Sequence, residues 1–203
     1  MTTDPVTTHI AGKSAERVAA APALDRRMSD GRISGLIVRD ARAEESTTIA
    51  DITRAAYAEY ATIMAPEAWP ELSEAVETGL VSTAPSERII AELDGRVVGS
   101  ATMFAANVDA YGHVENVSQL TWPEVRLVAV HPDARGNGIA RALMDEFVWR
   151  ARAAGEQAIG IHTSRSMRAA VALYTSMGFV RVPELDFRPP GAELVEAYKL
   201  DLD

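Results

Sequence analysis

The chain has no cysteine among its 203 residues. Disulfides, thiolate metal sites and a cysteinyl acyl-enzyme are therefore excluded. Histidine is scarce: His9, His113, His131 and His162 are the only four, and no two stand at metal-ligand spacing, so no metal is expected. No apolar run is long enough to span a bilayer, and the first thirty residues lack the apolar core of a secretory signal. The expectation is a cytoplasmic protein with no membrane partner. Basic residues are outnumbered, 20 Lys and Arg against 29 Asp and Glu, for a net charge of −9. A nucleic-acid binder normally carries a basic face, so nucleic acid is not an expected partner. The acid excess reads first as solubility and only weakly favours a cationic ligand or basic peptide.

What the chain does have is a hydrophobic content of 47%, enough to build one core. Residues 1–34 are rich in Thr, Ala, Ser, Pro and charge, without a sustained period. They read as a mobile tail with a short helix near Ala15–Ala21, leaving 35–203 as the folded domain. A first strand is expected at Gly35–Arg39. A helix follows at Glu44–Tyr60, where Ile49, Ile52, Ala56 and Tyr60 share one face and Ser46 supplies a cap. Pro66 and Pro70 bracket a break, and a second helix runs from Glu71 to about Gly79 and Leu80. Two strand-like runs, Arg88–Leu93 and Arg96–Phe104, flank Asp94-Gly95, a direct hairpin signal. The long segment Ala105–Pro123 has little pattern, which often marks function or mobility. Further strands are read at Val125–Val130, Gln157–Thr163, Phe179–Val182 and Leu194–Leu202. Helices are read at Gly138–Ala154 and Arg168–Met177. In the first of these Ile139, Leu143, Phe147 and Ala151 recur every four residues. The order β-α-α-β-β-β-α-β-α-β-β predicts an α/β (α+β) domain on a mixed sheet.

One stretch carries chemistry. In "EVRLVAVHPDARGNGIARALM", residues 124–144, an apolar strand ends at His131-Pro132, and a turn, Arg135-Gly136-Asn137-Gly138, feeds a helix. The first turn of a helix has amides without intrahelical partners, and its dipole favours an anion. Gly136 and Gly138 keep side chains out of the way, and Arg135 and Arg141 add positive charge, so the stretch reads as a phosphate cradle. It is neither a Walker loop nor a complete dinucleotide fingerprint.

A second constellation lies downstream. "AAVALYTSMGF", residues 169–179, places Leu173-Tyr174 at a helix end and Gly178-Phe179 just past it. Together with Arg135-x-x-Gly138-x-Ala140, this resembles the GNAT superfamily of N-acetyltransferases, over roughly Leu36 to the C-terminus. The resemblance implies a centrally splayed sheet. It also implies that backbone amides across Arg135, Gly136, Asn137, Gly138, Ile139, Ala140 and Arg141 hold the pyrophosphate of acetyl-CoA. Val128, Ala129 and Val130 would pair with the pantetheine arm. Tyr174 stands where the family often has a general acid for the departing thiolate. Glu124, six residues before Val130, stands where some members carry a catalytic base; an ordered-water chain is the alternative. An alkyl amine with a pKa near 10.4 is almost wholly protonated at pH 7, so some group must take a proton.

The chain departs from the family at Met167, where an asparagine often contacts the cofactor; Ser164, Ser166 and Arg168 are the substitutes at hand. The acceptor, a small-molecule amine or peptide, would lie among Tyr57, Tyr60, Trp69, Tyr111, His113, Trp122, Glu184 and Asp186, where aromatics and carboxylates suit a cation. Dimers are common in the family, and the C-terminal strands offer a surface for a homodimer. Two other readings stand beside direct acetyl transfer in a ternary complex. One is a non-catalytic acyl-CoA-binding module, the other transfer of a larger acyl group.

Overall fold

The computed structural model describes residues 34–108 and 120–202. The expected tail, its short helix and most of the segment before Pro123 lie outside the described residues. The elements are β1 (Leu36–Asp40), α1 (Ser46–Tyr57), α2 (Tyr60–Ile63), α3 (Ala68–Val81), β2 (Ser86–Leu93), β3 (Arg96–Phe104), β4 (Glu124–Val130), α4 (Ile139–Ala153), β5 (Ala158–Thr163), α5 (Arg168–Ser176), β6 (Val180–Arg181) and β7 (Glu196–Asp201). They form one mixed seven-stranded sheet in the order β1-β2-β3-β4-β5-β7-β6. The predicted element order holds, with the one-turn α2 added between the first two long helices.

Local corrections have local causes. Ser46 does not cap α1. Its hydroxyl donates back to the Ala43 carbonyl, while the Glu45 carboxylate accepts from the Arg42 amide at 2.7 Å. The second helix starts at Ala68 and takes in Pro70, which lies in its first turn, where a missing N–H costs nothing. It also runs through Gly79 rather than stopping there. A Cβ at Gly79 would stand 3.0 Å from Leu127 Cδ1, so this glycine lets the helix close on β4.

The core lies between the sheet and α4. The α4 side chains Ile139, Leu143, Met144, Phe147, Val148 and Ala151 are all buried, the predicted face widened by two positions. They pack on Ile89, Ala101, Met103, Val125, Ile159 and Ile161 of the sheet. Leu143 and Phe147 have no exposed surface, and burying each contributes about 1.5–3 kcal/mol. Helix α1 covers the opposite face, with Ile52 and Ala56 against Ala129.

The sheet opens between β4 and β5. These parallel strands pair only at Glu124↔Gly160 and Val125↔Ile161. Beyond that point β4 bulges, with Leu127 and Val128 standing against the single Ala101 of β3. Leu127 sits at φ 54°, a costly conformation for a non-glycine residue, and its buried side chain is held in the space left by Gly79.

Candidate active site

A cleft of about 440 Å³ occupies the opening between β4 and β5. One end is made by the loop before α4. Gly136 and Gly138 adopt φ of 77° and 70°, where an L side chain would be strained. Gly138 is the residue before α4, and no side chain caps that helix. The first turn of α4 also holds no acidic residue, so its amides and its dipole are left to a ligand. Gly136, Gly138, Ile139, Ala140 and Arg141 all border the cleft. Asn137 does not: its side-chain amide donates to the Ala134 and Arg135 carbonyls at 3.1 and 3.3 Å and braces the loop from outside.

Arg135 is placed differently from a simple phosphate-binding cation. Its guanidinium donates to Glu59 Oε2 at 2.7 Å and to the Ala56 carbonyl at 2.8 Å, near the C-terminal end of α1. That carbonyl lies in the last turn of the helix, where a cation is favoured. Arg135 thus ties the loop to α1 while still lining the cleft. Arg141 lies 3.7 Å from Asp145 and half exposed, one turn into α4.

The long wall is β4. Val128 and Val130 border the cleft, while Ala129 turns to the α1 side and packs with Ile52 and Ala56. The divergence of β5 leaves this stretch of β4 without a parallel neighbour. Three phenols gather at the middle. Tyr174, on α5, is 4% exposed. Burial first, then the neighbouring Tyr57 and Tyr60, push its pKa well above the ordinary phenol value. Tyr57 and Tyr60 meet edge to face at 6.0 Å and are also shifted upward, chiefly by burial. All three are neutral hydrogen-bond donors at physiological pH.

Glu124 is buried where the strands part. Its Oε1 lies 2.8 Å from His162 Nδ1, so the pair clips β4 to β5 across the divergence. His162 Nε2 is 3.2 Å from the Leu185 carbonyl. A carbonyl only accepts, so Nε2 is the donor in that contact, and Nδ1 faces the carboxylate. It is His162, not Glu124, that borders the cleft.

The structure separates the acceptor candidates. Tyr57 and Tyr60 line the cleft, and Trp69, Trp122, Glu184 and Asp186 do not. Trp69 belongs to the first turn of α3, and Trp122 lies against Gly160 with Lys199 Nζ 5.3 Å from its ring centroid. Asp186 is held by Arg181 at 2.7 and 2.8 Å and by the Ala197 amide at 2.9 Å, which lower its pKa against the effect of burial. Tyr111 and His113 lie outside the described residues. At the departure from the family pattern Met167 itself borders the cleft, whereas its substitutes Ser164, Ser166 and Arg168 do not, and Ser166 donates to Glu193 at 2.7 Å.

Three ionisable lining residues escape the sequence reading, Glu59, His162 and Arg126. The signal for Arg126 was present: in an otherwise apolar strand, Glu124 and Arg126 are two residues apart and so share a face. No three of His, Asp and Glu are grouped to hold a metal ion among the described residues, and none of their helices is long and apolar enough to cross a membrane.

Comparison with known proteins agrees with this architecture. No curated protein sequence matches the chain. Solved structures do. An N-acetyltransferase from Staphylococcus aureus Mu50 is 23% identical, with a TM-score of 0.55 over 84% of this chain and 100% of that one. A GNAT family acetyltransferase from Brucella melitensis, solved with acetyl-CoA, is 19% identical, with a TM-score of 0.54 over 83% of this chain and 88% of that one. The ribosomal-protein-S18-alanine N-acetyltransferase of Escherichia coli is 16% identical, with a TM-score of 0.55 over 83% and 94%. At these identities the likeness is one of fold. The model of the acetyltransferase (GNAT) family matches residues 50–179, from within α1 to the residue before β6, and the chain belongs to that family.

Proposed function

We propose that the protein transfers an acetyl group from acetyl-CoA to a primary amine in a ternary complex. The observation that carries this reading is the meeting, in one cleft, of an uncapped helix N-terminus, a strand wall freed by the divergence of β5, and a buried phenol. The residues fit the co-substrate. Amides from Gly136 to Arg141 take the diphosphate, aided by Arg141, and Val128 and Val130 accept the pantetheine arm along β4. A structure from the same fold family was solved with acetyl-CoA, which supports this choice of ligand.

Bound acetyl-CoA supplies an activated acyl carbon and a thiolate leaving group. Tyr174 donates its phenolic proton to the departing sulfur; its raised pKa keeps that proton in place until it is needed. Glu124 takes the amine's proton by way of water, because His162 stands between its carboxylate and the cleft wall. Tyr57 and Tyr60 orient the amine. The proton traffic balances: as the C–N bond forms and the C–S bond breaks, the ammonium loses two protons, the first to Glu124 through water and then to solvent, the second restoring through solvent the Tyr174 proton given to sulfur.

The first test is a thermal-shift titration with acetyl-CoA and with CoA, followed by thiol release over a panel of amines. A ligand of the folded state raises the melting temperature with concentration. A shift together with amine-dependent thiol release is expected. A shift with no turnover on any amine favours a non-catalytic acyl-CoA-binding module, and no shift at millimolar acetyl-CoA overturns the assignment of the loop.

A further inference from the structure

The loop before α4 is tied to a break between two helices. Helix α1 ends at Tyr57, and the one-turn α2 begins at Tyr60. In an unbroken helix the Ala56 carbonyl would accept from the Tyr60 amide. Here Arg135 supplies a donor instead. Its Nη2 reaches that carbonyl at 2.8 Å, and its Nη1 reaches Glu59 Oε2, inside the break, at 2.7 Å. A side chain inserted into the hydrogen-bond ladder is one of the known causes of a helix break. Arg135 is at the same time part of the loop that presents the α4 amides.

The break also carries part of the acceptor wall. Tyr57 and Tyr60 stand on either side of it, edge to face, and both border the cleft together with Glu59 and Arg135. None of the four residues of α2 is buried. A helix of one turn is not stable on its own, because nucleation fixes several residues for a single hydrogen bond. The place of α2 is therefore set at its ends, by Arg135 at the break and by the buried Met64 just past Ile63. Both charges of the pair act on the Tyr60 phenol. Burial raises its pKa most, Glu59 raises it further, and Arg135 lowers it.

We infer that Glu59 is a positioning residue, and that its pair with Arg135 couples the two ends of the cleft, so that a diphosphate bound at the α4 loop fixes the α1–α2 break and with it Tyr57 and Tyr60. This rests on the acetyltransferase reading above and adds a regulation of that site. A guanidinium has five N–H groups, and Glu59 and Ala56 take one each, which leaves three. A diphosphate on the loop amides brings negative charge to those three. With an anion from the ligand and one from Glu59 on a single planar fork, the loop and the break order together. Linkage makes the effect reciprocal: an acceptor held against Tyr57 and Tyr60 tightens the hold on the co-substrate by the same factor.

The experiment is hydrogen–deuterium exchange, read by mass spectrometry over peptides spanning 57–64 and 132–141. The probe is adenosine 3′-phosphate 5′-diphosphate, which carries the diphosphate of CoA without the pantetheine arm and so does not reach the tyrosines along β4. CoA itself is the control. In wild type the saturating probe should slow exchange in both peptides, by roughly tenfold at 57–64, the scale of one charge-assisted hydrogen bond. In Glu59→Gln and in Arg135→Met, each again saturated, the loop peptide should still slow, while the change at 57–64 falls below about twofold. Both side chains are partly exposed, so both variants should fold. A merely structural Glu59 would speed exchange at 57–64 equally with and without the probe and keep the wild-type ratio, which overturns the inference. Affinity for the probe, by calorimetric titration, is the second readout. Each substitution should weaken it, and the double variant should be no weaker than Arg135→Met alone; additive losses overturn the coupling. Loop protection without protection at 57–64 in wild type, or protection there that survives both substitutions, overturns the inference and leaves the acetyltransferase reading standing. No protection of the loop by the probe or by CoA overturns the underlying reading and this inference with it.

Discussion

The two ends of the cleft are built from different materials. At the α4 end the ligand-facing groups are backbone amides, exposed by two glycines of positive φ and by a helix with no capping side chain. At the β4 end they are side chains, Arg126, Tyr57, Tyr174 and His162, drawn from a strand, two helices and a second strand. A site made of backbone has fixed chemistry, because every residue offers the same N–H, and it fails only when a side chain intrudes or the loop moves. A site made of side chains can be retuned by one substitution. On the proposed function, the first end is a constant anchor for acetyl-CoA and the second an adaptable acceptor region.

Tyr174→Phe should draw the contrast most sharply. It removes a proton donor and leaves the backbone end untouched. The expected loss is about 10²- to 10⁴-fold in kcat. Affinity for CoA, measured by calorimetric titration, should stay within about threefold. Loss of CoA binding in step with kcat would mean that Tyr174 acts by packing.

Gly138→Val should do the reverse. A β-branched side chain at φ 70° strains or shifts the turn that presents the α4 amides. CoA affinity should fall by about two orders of magnitude, with the core intact by circular dichroism. A variant that bound CoA normally would show that side chains, not amides, carry that end.

Arg135→Met should be milder. It cuts the tie from the loop to Glu59 and the α1 carbonyl while preserving the glycines and amides. Affinity for CoA should weaken by about 5- to 20-fold. The penalty should shrink at high salt less than that of Arg141→Met, since Arg141 is the more exposed of the two.

The smallest effect lies outside the cleft, at the start of α1. Arg39 donates to Glu45 and to Glu92, each at 2.7 Å, and this pairing lowers the Glu45 pKa from 4.5 to about 2. A lowered carboxyl pKa stabilises the fold above the unfolded-state value, and the contribution disappears as pH falls through the folded one. The melting temperature should therefore drop between about pH 4.5 and 2, and Arg39→Met should flatten part of that drop. CoA affinity at neutral pH should not change.

Much of this was legible in the chain, and the exceptions follow a pattern. The α4 face was readable because Ile139, Leu143, Phe147 and Ala151 repeat with the helical period, and the hairpin because Asp94-Gly95 interrupts two strand-like runs. Gly79 misled as a helix stop, since the reason for it is Leu127, 48 residues away in sequence and 3.0 Å from where its Cβ would be. Arg135 looked like a free cation because Glu59, its partner, is brought to it only by the packing of α1. Asp186 looked like a substrate ligand for the same reason: Arg181 and the Ala197 amide are fixed by the pairing of β6 with β7.

The sequence by itself determined the order of the elements, the family motifs and the glycine turn before α4, because these depend on periodicity and on what glycine allows at a turn. The tertiary structure alone decided which charges are spent on each other and which side chains line the cleft. It put His162 on Glu124, Glu59 on Arg135 and Asp186 on Arg181, and it put Arg126 on the cleft wall. Ion pairing and burial depend on distances between residues far apart in the chain, and those distances exist only once the sheet has formed and β4 and β5 have parted.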